Sequence, residues 1–130
     1  MTEEVIEKVK KFYLYGFDMQ SPMRNTPKAA PRYYEVTNKD LRFGFTEDWE
    51  GRKKQFDDAY KCKRHNKSHA ILLRAWDTDL DRKGMMEIKK AVKDELKKDF
   101  ALKGDTIEDS VDQKDRIKLL IENVILFLQG

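Results

Sequence analysis

Nine residues in the middle of the chain, Ser68–Trp76 (SHAILLRAW), are too apolar to lie in water and far too short to span a bilayer. Their neighbours are opposite in charge, basic Tyr60–Lys67 (YKCKRHNK) before them and acidic Asp77–Asp81 (DTDLD) after. Ala70, Ile71, Leu72, Leu73, Ala75 and Trp76 are therefore expected in the core, and whatever packs on them positions both charged flanks. Periodicity alone does not separate a buried strand from a helical turn in so short a run. We take it as a strand joining the hairpin described next.

Arg32–Val36 (RYYEV), the turn Thr37-Asn38-Lys39-Asp40 and Leu41–Phe45 (LRFGF) predict a β-hairpin over 32–45. Tyr34, Val36, Leu41, Phe43 and Phe45 share one face at period two, and Gly44 marks a bulge or a close approach. A hairpin is marginal alone, so helices must cover it. Thr2 with Glu3 and Glu4 can open a first helix, with Val5, Ile6, Val9, Phe12 and Tyr13 as its stripe and Gly16 as its stop. The alternation in Phe12–Phe17 also suits a strand. Thr46 opens a second helix with Trp49, Phe56, Ala59 and Tyr60 along one side. Met85, Ile88, Val92, Leu96 and Phe100 mark a third, ended by Gly104, and residues 104–112 follow as an acidic loop. Ser110 or Asp112 caps a fourth helix carrying Ile117, Leu120, Ile121, Val124, Phe127 and Leu128. Its Val124–Leu128 end is apolar on most faces and is expected to be buried by the fold or by another chain.

These elements predict an α+β class: a small antiparallel sheet from 32–45, with 70–76 as a candidate further strand, packed against about four helices. At 130 residues the chain is most simply one domain, 1–130, with a proline-containing connecting loop at 18–31. Apolar and charged residues each make up 39% of the chain, but the charges are mixed in sign and aromatics are plentiful, which argues against disorder. Cys62 is the only cysteine, so no intrachain disulfide can form, and a lone thiol suits a reducing compartment. With neither a signal-peptide pattern nor a transmembrane window, the expected location is cytoplasmic and no membrane partner is expected.

The net charge of +3 is unevenly spread. Residues 24–74 carry +6, residues 1–23 carry −1 and residues 75–130 carry −2. Lys61, Lys63, Arg64 and Lys67 cluster beside Tyr60, and Arg24, Lys28 and Arg32 punctuate the proline loop just before Tyr33 and Tyr34. Cations for phosphates beside aromatics for stacking are what a nucleic acid calls for. These ten residues are the candidate nucleic-acid-binding set. The opposing view is a solvated helix end whose cations favour the helix dipole.

Other patterns carry less chemistry. Asp77-Thr78-Asp79-Leu80-Asp81 resembles the start of an EF-hand calcium loop, but Arg82 stands where the turn glycine belongs and Ile88 where the bidentate glutamate belongs. An acidic loop that caps the next helix is the plainer expectation. His65 and His69 lie four apart but lack the further ligands zinc needs. Cys62, among Lys61, Lys63 and Arg64, would have a depressed thiol pKa if exposed, yet a catalytic cysteine also needs a base and an orienter. No phosphate loop, nucleophile elbow or HExxH occurs. No metal and no cofactor are expected, and a non-enzymatic binding protein is favoured.

Three classes of function follow. The first is a binding protein for nucleic acid or another polyanion, acting through the basic middle. The second is an inhibitor or assembly factor whose protein partner, or second copy, takes the apolar C-terminal helix or a sheet edge. The Lys/Glu-rich composition is similar to that of small accessory proteins of phages and mobile elements, which would imply this second class. The third is an enzyme whose site the sequence does not reveal.

Overall fold

A computed structural model describes residues 9–18, 36–60 and 68–129. They form an α+β unit around a five-stranded, wholly antiparallel sheet of order β3-β1-β2-β5-β4. The strands are β1 (Lys11–Phe17), β2 (Leu41–Thr46), β3 (Ala70–Asp77), β4 (Leu102–Lys103) and β5 (Thr106–Ile107). Three α-helices complete the described residues: α1 (Trp49–Ala59), α2 (Arg82–Leu96) and α3 (Lys114–Gln129), the last preceded by a 3-10 turn at Val111–Gln113.

The first helix predicted from the sequence is overturned where it can be seen. Lys11–Phe17 is a strand, paired on one side with β2 and on the other with β3, while residues 1–8 lie outside the described ones. Its sequence, KFYLYGF, is rich in the aromatics that strands favour. Phe12 and Leu14 point to one face of the sheet, and Tyr13, Tyr15 and Phe17 to the other. Because both faces are covered, no polar residue alternates with the apolar ones after Lys11. Such a run supplies matches to a helical stripe as readily as to an alternating one.

The first face packs on α2 and α3. Phe12, Leu14, Leu41, Phe43 and Trp76 meet Ile88, Val92 and Leu96 of α2 and Ile117, Ile121 and Ile125 of α3. Of the predicted stripe of α2, Met85, Ile88, Val92 and Leu96 are all buried on the helix, whereas Phe100 lies beyond its end and is partly buried. The second face packs on α1, whose Trp49, Phe56 and Ala59 join Tyr13, Tyr15, Phe17, Val36 and Tyr60. Tyr15 stacks parallel on Phe56 with ring centroids 4.1 Å apart. Burial pushes the Tyr15 hydroxyl pKa upward, with Asp57 adding to the effect. The phenol therefore stays neutral.

The apolar run 70–76 is a strand, as expected, but an edge strand and not the middle of the core. Trp76 is buried, whereas Ile71 is 47% exposed and Leu72 42% exposed. Its ladder to β1 shifts between Leu14 and Tyr15, which leaves Leu73 as an extra, bulged residue. A bulge on an exposed edge discourages pairing with another chain.

Of the expected hairpin, the turn and the second arm lie within the described residues. The Thr37–Asp40 turn forms, with the Asp40 amide donating to the Thr37 carbonyl at 3.1 Å, and Leu41, Phe43 and Phe45 share a face. Among the described residues the neighbours of the second arm are β1 and β5: Tyr15 pairs with Arg42, and Arg42 with Thr106. Residues 32–35 lie outside the described ones, and buried Val36 belongs to the α1-side cluster. Gly44 marks the close approach the sequence suggests, because a Cβ there would lie 2.6 Å from the Tyr13 hydroxyl oxygen. Gly104 does not end α2, which stops at Leu96. With φ of +59°, it makes the two-residue turn of the β4–β5 hairpin, so the acidic loop expected at 104–112 contains a strand.

Candidate polyanion-binding site

The two basic segments, 19–35 and 61–67, lie outside the described residues, but the points where the chain leaves for them and returns are described. Three of these points are hydrogen-bonded together at one corner of the sheet. The His69 amide donates to the Tyr60 carbonyl at 2.8 Å, and the Asp18 amide donates to the His69 carbonyl at 2.8 Å. The His69 Nδ1 lies 2.8 Å from the Asp18 carbonyl oxygen. A carbonyl can only accept, so this contact puts the ring proton on Nδ1.

The local sequence explains the junction. Phe17 and Ala70 pair at the end of the β1–β3 ladder, and one more backbone bond, from the Asp18 amide to the His69 carbonyl, continues it. Tyr60 caps α1, its amide donating to Phe56 at 3.1 Å, and α1 is fixed across β1 by Phe56. Val36, where segment 19–35 ends, is buried in the same aromatic cluster as Tyr60. The chain therefore leaves for 19–35, and leaves for and returns from 61–67, at one corner of the sheet.

Of the ten candidate residues, Arg24, Lys28, Arg32, Tyr33, Tyr34, Lys61, Lys63, Arg64 and Lys67 lie outside the described residues. Tyr60 is corrected. It is completely buried, with its ring centroid 4.7 Å from that of Phe17 and 5.9 Å from that of Phe56, so no ring face is left for a base. Its apolar ring completes the core stripe of α1, and that packing wins over stacking on a ligand. Cys62 and His65 also lie outside the described residues.

The acidic run 77–81 has separate tasks for its carboxylates. Asp77 pairs with Lys11 at 3.1 Å, and Asp81 caps α2 by accepting from the Gly84 amide at 2.8 Å. No group of three or more His, Cys, Asp or Glu suited to a metal occurs among the described residues.

No family model, curated protein or solved structure matches this chain. What it can bind must therefore be argued from its own surfaces.

Two such surfaces escaped the sequence reasoning in part or whole. Around Asp105, at the β4–β5 turn, Lys89 donates to Oδ2 at 2.8 Å and Lys93 lies 3.1 Å from Oδ1. Arg42 and Lys103 flank Thr106 across the β2–β5 and β4–β5 ladders, and Arg42 Nη1 donates to the Thr106 hydroxyl at 3.1 Å. Burial alone would raise the Asp105 pKa, but hydrogen bonds and charge from Lys89 and Lys93 outweigh it and hold the carboxyl below its ordinary range. The i,i+4 lysine pair was visible in the sequence; the return of residue 105 to meet it was not. The second surface is α3. Its Val124–Leu128 end is only partly covered by the fold: Ile125 is buried and Val124 packs on the core, but Leu126 is exposed and Phe127 is 84% exposed. Among the described residues no helix is long and apolar enough to cross a membrane.

Proposed function

We propose that the chain is a non-enzymatic binding protein that engages nucleic acid through the cations of segments 19–35 and 61–67. Support comes from the Asp18–His69–Tyr60 junction, which roots both segments at one corner of the sheet. Together the segments hold seven cations and one acid, a charge of +6 in a chain of +3, so the remainder is net −3. Such segregation along the chain favours binding of an extended anion by these segments over the rest of the protein. Lys61, Lys63, Arg64, Lys67, Arg24, Lys28 and Arg32 supply the charge, and Tyr33 and Tyr34 the stacking, on the order of 1–3 kcal/mol per base. No base-reading set accompanies them, so sequence preference is weak.

A labelled oligonucleotide titrated at several salt concentrations tests this. Each engaged cation adds roughly 0.7 to the logarithmic salt slope on single strands. Replacing Lys63 and Arg64 with Ala is expected to lower affinity and flatten that slope while leaving the fold intact. Absence of binding even at low salt would eliminate nucleic acid as the ligand.

A second reading is favoured by a specific observation. Leu119, Leu126 and Phe127 are exposed on α3, beside an apolar groove of about 780 Å³ lined also by Leu120, Val124 and Leu128. Such a face suits an inhibitor or assembly factor that docks on another protein or on its own copy. Association of that kind would survive high salt, where binding to nucleic acid would not.

A further inference from the structure

We propose that α3 is the contact face of a symmetric homodimer, in which two copies of the chain pair antiparallel about Asn123. The proposal rests on the reading of α3 as a docking face and names its occupant as a second copy. Leu119, Asn123 and Phe127 follow one another at intervals of four residues and so form one line along the helix. Leu119 is 59% exposed and Phe127 84% exposed, and all three residues line the apolar groove between α2 and α3. The inner side of the same helix is already satisfied, because Ile117, Ile121 and Ile125 are buried in the core.

The spacing fits a second copy better than an unrelated partner. Leu119 and Phe127 stand equally far from Asn123, roughly 6 Å along the helix axis on either side. A two-fold axis at Asn123 therefore lays Leu119 of each copy on Phe127 of the other, apolar on apolar. Asn123 is a polar residue within this stripe, and covering it with an apolar surface would leave its carboxamide unsatisfied. Its own copy satisfies it, since each carboxamide can donate to the other and accept in return. A single Asn in an apolar helix seam fixes register in this way. Ala91 is the small residue of the α2 wall, which leaves room for an inserted side chain.

Charge is also compatible with self-pairing. On α3, Arg116 is paired with Asp99, Lys118 with Asp115 at 3.6 Å and Glu122 with Arg74 at 3.3 Å. On the α2 rim Glu95 is paired with Lys98 at 3.0 Å, and Asp94 is the remaining charged lining residue. Flanks neutralised in this way neither repel a second copy strongly nor attract a polyanion. From Asn123 to Gln129 the helix carries no charged side chain, and antiparallel pairing sets its negative end beside the positive end of the other copy. With 16 residues, α3 offers a strip about 24 Å long and about 10 Å wide. That is well below the roughly 800 Å² per partner of a stable interface, so the dimer is reversible and forms as concentration rises.

Sedimentation equilibrium of the full chain over a range of concentrations tests this, with circular dichroism confirming that each variant is folded. The wild type is expected to dimerise reversibly, and as well at high salt as at low. Phe127→Asp should raise the concentration needed by about tenfold or more, the effect of losing a central aromatic anchor. Asn123→Asp and Asn123→Lys should each be monomeric, because like charges then meet at the axis, and an equimolar mixture of the two should recover association. A chain that is monomeric at every concentration overturns the proposal, and so does a dimer that withstands Phe127→Asp or both Asn123 variants. Binding of an apolar dye, anilinonaphthalene sulfonate, separates the proposal from the reading beneath it. If the chain is monomeric but binds the dye, and Phe127→Asp abolishes that binding, the second copy is excluded and a different protein is left as the occupant. If the monomer binds no dye, the docking face itself is excluded as well.

Discussion

Asp105 and Gly44 show how much a single position can carry in this chain. Asp105 is half the length of the protein away from Arg42 in sequence, yet it ties the β4–β5 turn to α2 through Lys89 and Lys93. Its carboxyl is held below the ordinary value of 3.8, so its stabilising contribution is present above that pH and is lost as pH falls through the lower, folded-state pKa. Asp105→Asn is expected to reduce stability at neutral pH and to make the acid-side loss shallower. Urea midpoints followed from pH 7 down through the carboxylate range would show it, and parallel profiles for the two proteins would contradict it. Gly44 is constrained from the other direction. The Tyr13 ring beside it is packed against Trp49, Phe56 and Tyr15, and its hydroxyl accepts from Arg52 at 3.0 Å, so it has nowhere to move. Gly44→Ala should therefore destabilise by about 1–3 kcal/mol, as overpacking does. An unchanged denaturation midpoint would mean that β2 shifts freely, against the paired ladders on both its sides.

Helices α1 and α2 follow from local rules, and the strands do not. Asp48 and Asp81 cap them through bonds to the Gly51 and Gly84 amides, at 3.2 and 2.8 Å. Behind each cap runs an apolar stripe at helical spacing, which is why the starts of both helices can be read from the sequence to within a few residues. Asp81→Ala should cost about 1 kcal/mol through the loss of the cap. Thermal unfolding of the variant would measure it, and a neutral result would assign the first-turn amides of α2 to water. Thr46, expected to open α1, ends β2 instead, and its hydroxyl accepts from the Asp48 amide at 3.0 Å. The residues of β1 mislead because they are buried on both faces and carry no alternation of polar and apolar character. β4 and β5 are too short to give any pattern. They exist because Gly104 turns the chain back onto β2.

The assembled sheet has a distinct centre and two unequal edges, and this predicts a gradient of local stability. β1 is bonded along both sides and covered on both faces, whereas among the described residues β3 pairs only with β1 and carries half-exposed Ile71 and Leu72. Amide hydrogen exchange should be slowest in Phe12–Tyr15 and faster at the outward-pointing amides of β3. Protection of those β3 amides equal to that of β1 would mean that another chain covers the edge in solution.

The composition, the two capped amphipathic helices, the apolar stripe of α3 and the presence of β structure at 41–45 and 70–76 were all legible along the chain, because each depends on neighbours a few residues away. So was the concentration of cations in segments 24–34 and 60–69. Pairing was not legible. That Leu41–Thr46 lies between β1 and β5, that the apolar run at 70–76 forms an edge, and that Tyr60 is core and not ligand surface all depend on contacts between distant residues. The candidate sites divide in the same way. Sequence supplied the charges of the basic segments, whereas only long-range hydrogen bonds at Asp18, His69 and Tyr60 bring the roots of those segments together. The cations around Asp105 come from β2, α2 and β4, scattered over more than sixty positions. Charge is a property of each residue, but convergence of charge is a property of the path the backbone takes in space.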